Sequence, residues 1–170
     1  MAAMKDVLAI LLGGFIAATL DILYAFLGNA QFGRSPLWVL QFVASGWLGK
    51  ESFSQGWMAG SLGLASHYAI LFVAAALYYL ASRRFTVLRS QAVACGAVFG
   101  CLIYLFMNFV VWPASAVPYK FVPSTMRIVE GFASHALIVG IPIALCIRRW
   151  TTPPSWARRT SPGDSSPPRA

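Results

Sequence analysis

Residues 57–81 read WMAGSLGLASHYAILFVAAALYYLA and run straight into Ser82, Arg83 and Arg84. The stretch holds no aspartate, glutamate, lysine or arginine, and His67 is its one side chain that titrates near neutrality. A helix of this length covers about 37 Å at about 1.5 Å per residue, enough for a hydrocarbon core about 30 Å thick. The run has no polar face to offer water. It therefore predicts a transmembrane helix closed by arginines at the headgroups.

Working outward, the pattern recurs three times. Val7 to Gly28, Gln91 to Trp112 and Ile128 to Ile147 are each about 20 mostly apolar residues. The first is too long for a signal peptide, carries Asp21 and lacks a small-residue cleavage site, so it is expected to be retained. The chain as a whole is 58% hydrophobic and 11% charged, where a soluble domain carries about 25% charged residues. The fold class expected is an all-α membrane protein. Four transmembrane helices form two hairpins within residues 1–150, followed by a basic, proline- and serine-rich tail at 151–170 that reads as disordered and cytoplasmic.

The net charge is +8. The basic residues stand at the ends of the apolar runs and in the tail rather than along one polar face. That distribution suits anionic headgroups and points away from nucleic acid. Arg83, Arg84 and Arg89 lie between the second and third spans, Arg148 and Arg149 close the fourth, and Lys5 precedes the first. The opposite side has Arg34, Lys50, Lys120 and Arg127, diluted by Glu51 and Glu130. The bias predicts cytoplasmic N- and C-termini. Cys95, Cys101 and Cys146 show no metal-ligand spacing and read as packing residues.

The loop from Asn29 to Gly56 contains its own helix signal. Ser35-Pro36 is a cap followed by proline in the first turn, and residues 36–48, PLWVLQFVASGWL, are too short to span. This segment is expected to be a short interfacial or re-entrant helix, with Trp38 and Trp47 at headgroup depth. The loop from Pro113 to Pro123, with three prolines, is expected to be extended.

GLASH at 63–67 and GFASH at 131–135 contain the chain's two histidines. The match suggests a parallel repeat of two hairpins. Asp21 and Asn108 are late polar residues of the first and third spans. Counted from the helix ends, Asp21 lies about 10 Å below the outer face, His67 about 14 Å and His135 about 11 Å, with Asn108 and Glu130 nearer the surface. The polar residues thus gather in the outer half of the bundle, and the inner half holds none comparable.

Gly56, Gly60, Gly63 and His67 fall on one helical face, as do Gly14, Ala18, Asp21, Ala25 and Gly28. Gly96, Gly100 and Gly131 are further small-residue positions. Such stripes let helices approach closely in lipid, within one chain or between copies in a homo-oligomer. Asp21 then faces the interior, where a carboxylate needs a partner, and His67 or His135 is at the right depth. Pro142 should kink the fourth span, and Arg127 and Glu130 should pair at its start.

These residues support several functional readings. Asp21, His67 and His135, with Asn108 and Glu130 toward the mouth, form a site for a proton-responsive or small-solute role. A hydrogen-bond network that merely fixes helix register is the structural alternative. The two histidines could instead hold a b-type haem, or join Asp21 around a transition metal. The sequence assigns no cofactor. No nucleophile, metalloprotease or nucleotide-binding motif is present, so an enzyme is not expected. Ser66 and Ser134 adjoin histidines on helices, pointing about 100° away from them, and are expected to bond backbone carbonyls or to pack helices.

At TLDILYAF (19–26), GLASHYAIL (63–71), MNFVVWP (107–113) and SHALIVGIPIAL (134–145), the chain resembles small uncharacterised bacterial inner-membrane proteins, distantly the YagU-like group. The likeness covers about residues 7–149. It implies a bacterial inner-membrane location and brings no activity or catalytic residues.

Overall fold

The computed structural model describes residues 2–120 and 124–151. Helix α1 is Ala2–Ala30, α2 is Pro36–Leu48, and a 3-10 turn, Gly49–Phe53, leads to α3, Gly56–Arg84. A short α4, Val87–Ser90, precedes α5, Ala92–Ala114, and α6 is Thr125–Trp150. Helices α1, α3, α5 and α6 are each long and apolar enough to cross a bilayer. The chain is an all-α, multi-pass membrane protein. The helices exceed the expected spans by a few residues at most ends, because helical hydrogen bonding continues into the polar flanks. Of the tail expected at 151–170, only Thr151 lies within the described residues, and it is buried rather than disordered; residues 121–123 also lie outside them.

The packing is that of a protein dissolved in lipid. Buried positions are rich in alanine: Ala9, Ala17, Ala18, Ala59, Ala75 and Ala144 are shut off from the surface, whereas Phe15, Leu77, Leu102 and Phe106 are exposed. Lipid tails solvate large apolar side chains as well as a core does, so close backbone contact rather than apolar burial drives helix association. Helix α1 packs against both α3 and α6, and α6 packs against α5. The seam between α5 and α6 is a backbone-to-backbone contact. A Cβ on Gly100 would stand 2.0 Å from the His135 carbonyl oxygen, and one on Gly140 would stand 1.9 Å from that of Gly96.

Helix α2 begins as its sequence dictates. Ser35 Oγ accepts from the Trp38 amide at 3.2 Å, with Pro36 in the first turn. It lies against α3 so closely that a Cβ on Gly63 would reach 1.9 Å from the Leu40 carbonyl oxygen. Its outer face joins an aromatic cluster: Phe42 stacks on Trp38 at 5.5 Å and meets Trp112 at 5.2 Å. Ala116 N donates to the Gly46 carbonyl, tying the segment after α5 to α2. That segment is irregular from Ser115 to Lys120, after a last helical turn at Trp112–Ala114.

Two of the spans contain wide, π-helical turns, Met107–Val111 in α5 and His135–Gly140 in α6. Each ends just before a proline, Pro113 and Pro142. Proline has no amide hydrogen and its ring collides with the carbonyl four residues earlier. A widened turn carries that carbonyl away, so the expected disturbance at Pro142 takes this form. Sequence periodicity alone did not reveal it.

The arginine-rich end is more structured than its sequence implied. Tyr79 Oη donates to Asp6 Oδ2 at 2.8 Å, and Tyr78 Oη donates to the Leu88 carbonyl at 2.7 Å. Arg89 in α4 is buried and donates to both Oγ1 and the backbone carbonyl of Thr151, just past the end of α6. Burial, with the like charge of Arg83 adding to it, pushes the Arg89 guanidinium below its ordinary range. Asp6, Arg89 and Thr151 lie just outside the expected spans, and with Tyr79 they make a polar set at the helix ends there.

Candidate functional site

Toward the loop end, α1, α5 and α6 enclose a cavity of about 330 Å³. Asp21, Asn108, Glu130 and His135 all line it, with Tyr24, Asn29, Tyr104, Arg127 and Ser134. Four of the five polar residues singled out in the sequence thus share one space. The fifth, His67, does not line it but reaches the wall from behind.

Asp21 Oδ2 is 4.0 Å from His67 Nε2, and both side chains are largely buried. The same Nε2 lies 2.9 Å from the Ala18 carbonyl oxygen. A carbonyl only accepts, so Nε2 carries a hydrogen and donates to it. Of the two histidines, His67 is therefore the one beside Asp21. Its ring meets Tyr68 edge-on at 5.9 Å, and Tyr68 Oη shares a 2.9 Å hydrogen bond with Thr19 Oγ1. Thr19 and Asp21 of α1 thus meet Tyr68 and His67 of α3 beside Ala18.

His135 opens the π-helical turn of α6. Its Nδ1 lies 3.0 Å from the Gly131 carbonyl oxygen and so donates to it. Its Nε2 is not engaged by that bond. Tyr104 packs against the imidazole at 5.2 Å and against Gly131, where a Cβ would fall 2.2 Å from the ring. Asn108, in the π-helical turn of α5, turns Nδ2 back to the Tyr104 carbonyl at 2.8 Å, leaving its amide oxygen uncommitted by that bond. Glu130 Oε1 accepts from Tyr24 Oη at 2.7 Å. The Arg127 guanidinium lies over the Phe32 ring at 4.7 Å. The ion pair expected between Arg127 and Glu130 does not form, because tyrosine and phenylalanine from the α1 side intervene as partners.

Below the cavity the bundle closes. Gly100 and Gly140 bring α5 and α6 into backbone contact, and Gly13 approaches Cys146 and Ile143 across the α1–α6 seam. Among the glycines singled out in the sequence, Gly14 packs on Phe72, Gly60 on Leu37, Gly63 on Leu40, Gly96 on Ala144 and Gly131 on Tyr104. Gly28 and Gly56 do not serve in helix packing, since a Cβ on either would meet nothing within 4 Å. Gly56 has φ +54° and supplies the left-handed turn into α3, while Gly28 forms part of the cavity wall. The face carrying Gly60, Gly63 and His67 is divided: the glycines receive α2 and His67 receives α1.

Ser66 and Ser134 donate to the carbonyls of Leu62 and Gly131, at 2.8 and 3.1 Å, as adjacent helical serines should. Cys95, Cys101 and Cys146 are free thiols. Among the described residues, no three His, Cys, Asp or Glu side chains are grouped so as to hold a metal ion. The two histidines do not flank a common space, with His67 Nε2 committed to Ala18, so they do not fit as a pair of haem ligands. Tyr24, Asn29 and Tyr104 are polar site residues that sequence reasoning missed. Tyrosines are common in membrane helices, and only the i, i+3 placement of Tyr24 after Asp21 hinted at a shared face.

No family model, no curated protein and no solved structure matches this chain.

Proposed function

We propose that this protein holds a proton-linked site for a small polar solute in the bundle half away from the arginine-rich end. The observation that carries the reading is the convergence of Asp21, Asn108, Glu130 and His135 on one cavity, with His67 against Asp21. Ionisable residues inside a membrane are costly to place there, which makes them functional candidates by default, and histidine as a residue type changes charge between about pH 5 and 8. Protonation of His135 would turn Nε2 from an acceptor into a donor and change what the cavity can bind. The close backbone seam beneath the cavity favours binding or sensing from one face over a continuous pore. The arginine bias favours cytoplasmic termini, which sets the cavity toward the external side of a bacterial inner membrane. No enzymatic step is part of the proposal.

The test compares wild type with D21N, E130Q and H135N in lipid nanodiscs. Amide exchange across 104–111 and 131–140 is followed from roughly pH 5 to 8. The reading expects a pH-dependent change in wild type that each folded variant diminishes. Variants that keep the wild-type fold and the wild-type pH profile would reduce the cluster to a structural network.

A further inference from the structure

Helices α3 and α5 are neighbours in the bundle whose backbones do not pack. They meet where Tyr78 faces Phe99 at 5.0 Å near the arginine-rich end, and elsewhere a groove of about 730 Å³ separates them. Its walls are almost wholly apolar: small residues Ala65 and Ala69 on α3 face Leu102, Ile103 and Phe106 on α5. Toward the loop end it continues into a second space of about 470 Å³ beneath α2. Trp47, Ser66, Ile70, Met107 and Val111 line both. Asn108 lines that upper space and also the polar cavity on the other side of α5.

One helix position therefore borders a hydrocarbon-lined groove on one side and a carboxylate-bearing pocket on the other. Asn108 sits in the wide π-helical turn, where the helix is least tightly wound. The pocket offers two carboxylates, Asp21 and Glu130, and two tyrosines against the single guanidinium of Arg127. That set suits a cationic head, by charge and by the tyrosine rings. The groove suits one hydrocarbon chain arriving from the bilayer.

We infer that the small polar group taken by the proposed site is the cationic amine head of a single-chain amphiphile. It enters sideways between α3 and α5, with its chain along Ala69 and Phe106 and its head passing Asn108 toward Asp21 and Glu130. The inference rests on the cavity being a solute site, and it names the class of solute and its route.

The test uses the full chain in nanodiscs and two probes. One is hexadecylamine bearing a photoactivatable diazirine in mid-chain, with labelled residues mapped by mass spectrometry. The other is propylamine, followed through the side-chain NMR signals of His135. The expected result is saturable labelling of the α3–α5 groove, competed by propylamine and lowered about tenfold in E130Q. Ala69→Phe, and separately Val73→Trp, fill the groove at positions that already face outward, so the fold is undisturbed. Both should abolish groove labelling and leave the propylamine response of His135 intact. Labelling spread evenly over the outer surface of the bundle, or equal labelling by the matching long-chain alcohol, overturns the inference. If propylamine still shifts His135 in that case, the cavity reading survives alone. Propylamine without effect on His135 overturns the inference, and the pH-dependent exchange of D21N, E130Q and H135N then decides the cavity reading by itself.

Discussion

Asp21 and His67 meet across the seam between the first and second spans, Oδ2 to Nε2 at 4.0 Å, while the same nitrogen donates to the Ala18 carbonyl at 2.9 Å. One imidazole hydrogen thus ties the histidine to the neighbouring backbone and holds it within reach of the carboxylate. Asp21 in turn lines the polar cavity, so the pair links the α1–α3 seam to the site.

The two side chains should therefore be coupled in stability. His67→Asn is expected to cost about 1–2 kcal/mol, the scale of a buried hydrogen bond with an imperfect replacement. Asp21→Asn should cost less by itself, because its side chain keeps some access to the cavity. A double-mutant cycle read by thermal or steric-trap unfolding should return a coupling of about 0.5–2 kcal/mol. Simple additivity would show that the 4.0 Å approach is only proximity.

Glycine substitutions separate packing glycines from the rest. Gly100→Ala places a Cβ 2.0 Å from the His135 carbonyl oxygen, and backbone cannot rotate away as a side chain can. The α5–α6 seam must open, at a cost of about 3 kcal/mol or more. Gly28→Ala meets nothing within 4 Å and should be neutral or slightly stabilising, since alanine is the better helix former by about 0.5–1 kcal/mol. Unfolding midpoints of the two variants should move apart, and equal effects would contradict the packing.

The two glycines also show what a sequence can reveal. Spacing placed Gly28 on the same stripe as Gly14 and Asp21, yet only tertiary geometry decides which member of a stripe touches a neighbour. Position along each helix was legible, because helical rise alone sets it; Asp21, Asn108, Glu130 and His135 were expected in the same half of the bundle and share one cavity. Rotation about each axis was not, so the choice of His67 rather than His135 as the residue beside Asp21 needed coordinates. Ser35-Pro36 announced α2 unambiguously, since capping is local chemistry. The Asp6–Tyr79 and Arg89–Thr151 contacts join residues more than sixty positions apart, and no local pattern encodes them.

The wide turns make a deletion prediction. A π-helical turn behaves as an α-helix with one residue inserted. Removing Leu137, which is exposed within His135–Gly140, should restore regular helix and leave both flanks of α6 facing as before. Removing Leu145, also exposed but in regular helix, rotates everything beyond it by about 100° and turns Ile147 out of the core. The first variant should purify as a folded protein with a lower midpoint, and the second should not. Equal damage from both would argue against the π-helical register.

At the arginine-rich end, Arg89 holds the last turn of α6. Its guanidinium donates to two oxygens of Thr151 at a helix C-terminus, where exposed carbonyls favour a cation. Arg89→Ala removes both bonds, each to a charged donor, and is expected to cost about 2–3 kcal/mol. Lysine keeps the charge but cannot fork, so Arg89→Lys should recover only part of the loss. The local readout is amide exchange at 147–151 and cleavage by a soluble protease just beyond Thr151. Both should accelerate in the alanine variant and fall between in the lysine variant. A lysine variant indistinguishable from wild type would show that charge at the helix end, rather than the two-pronged contact, is what fastens the end of the fourth span to the α3–α5 connection.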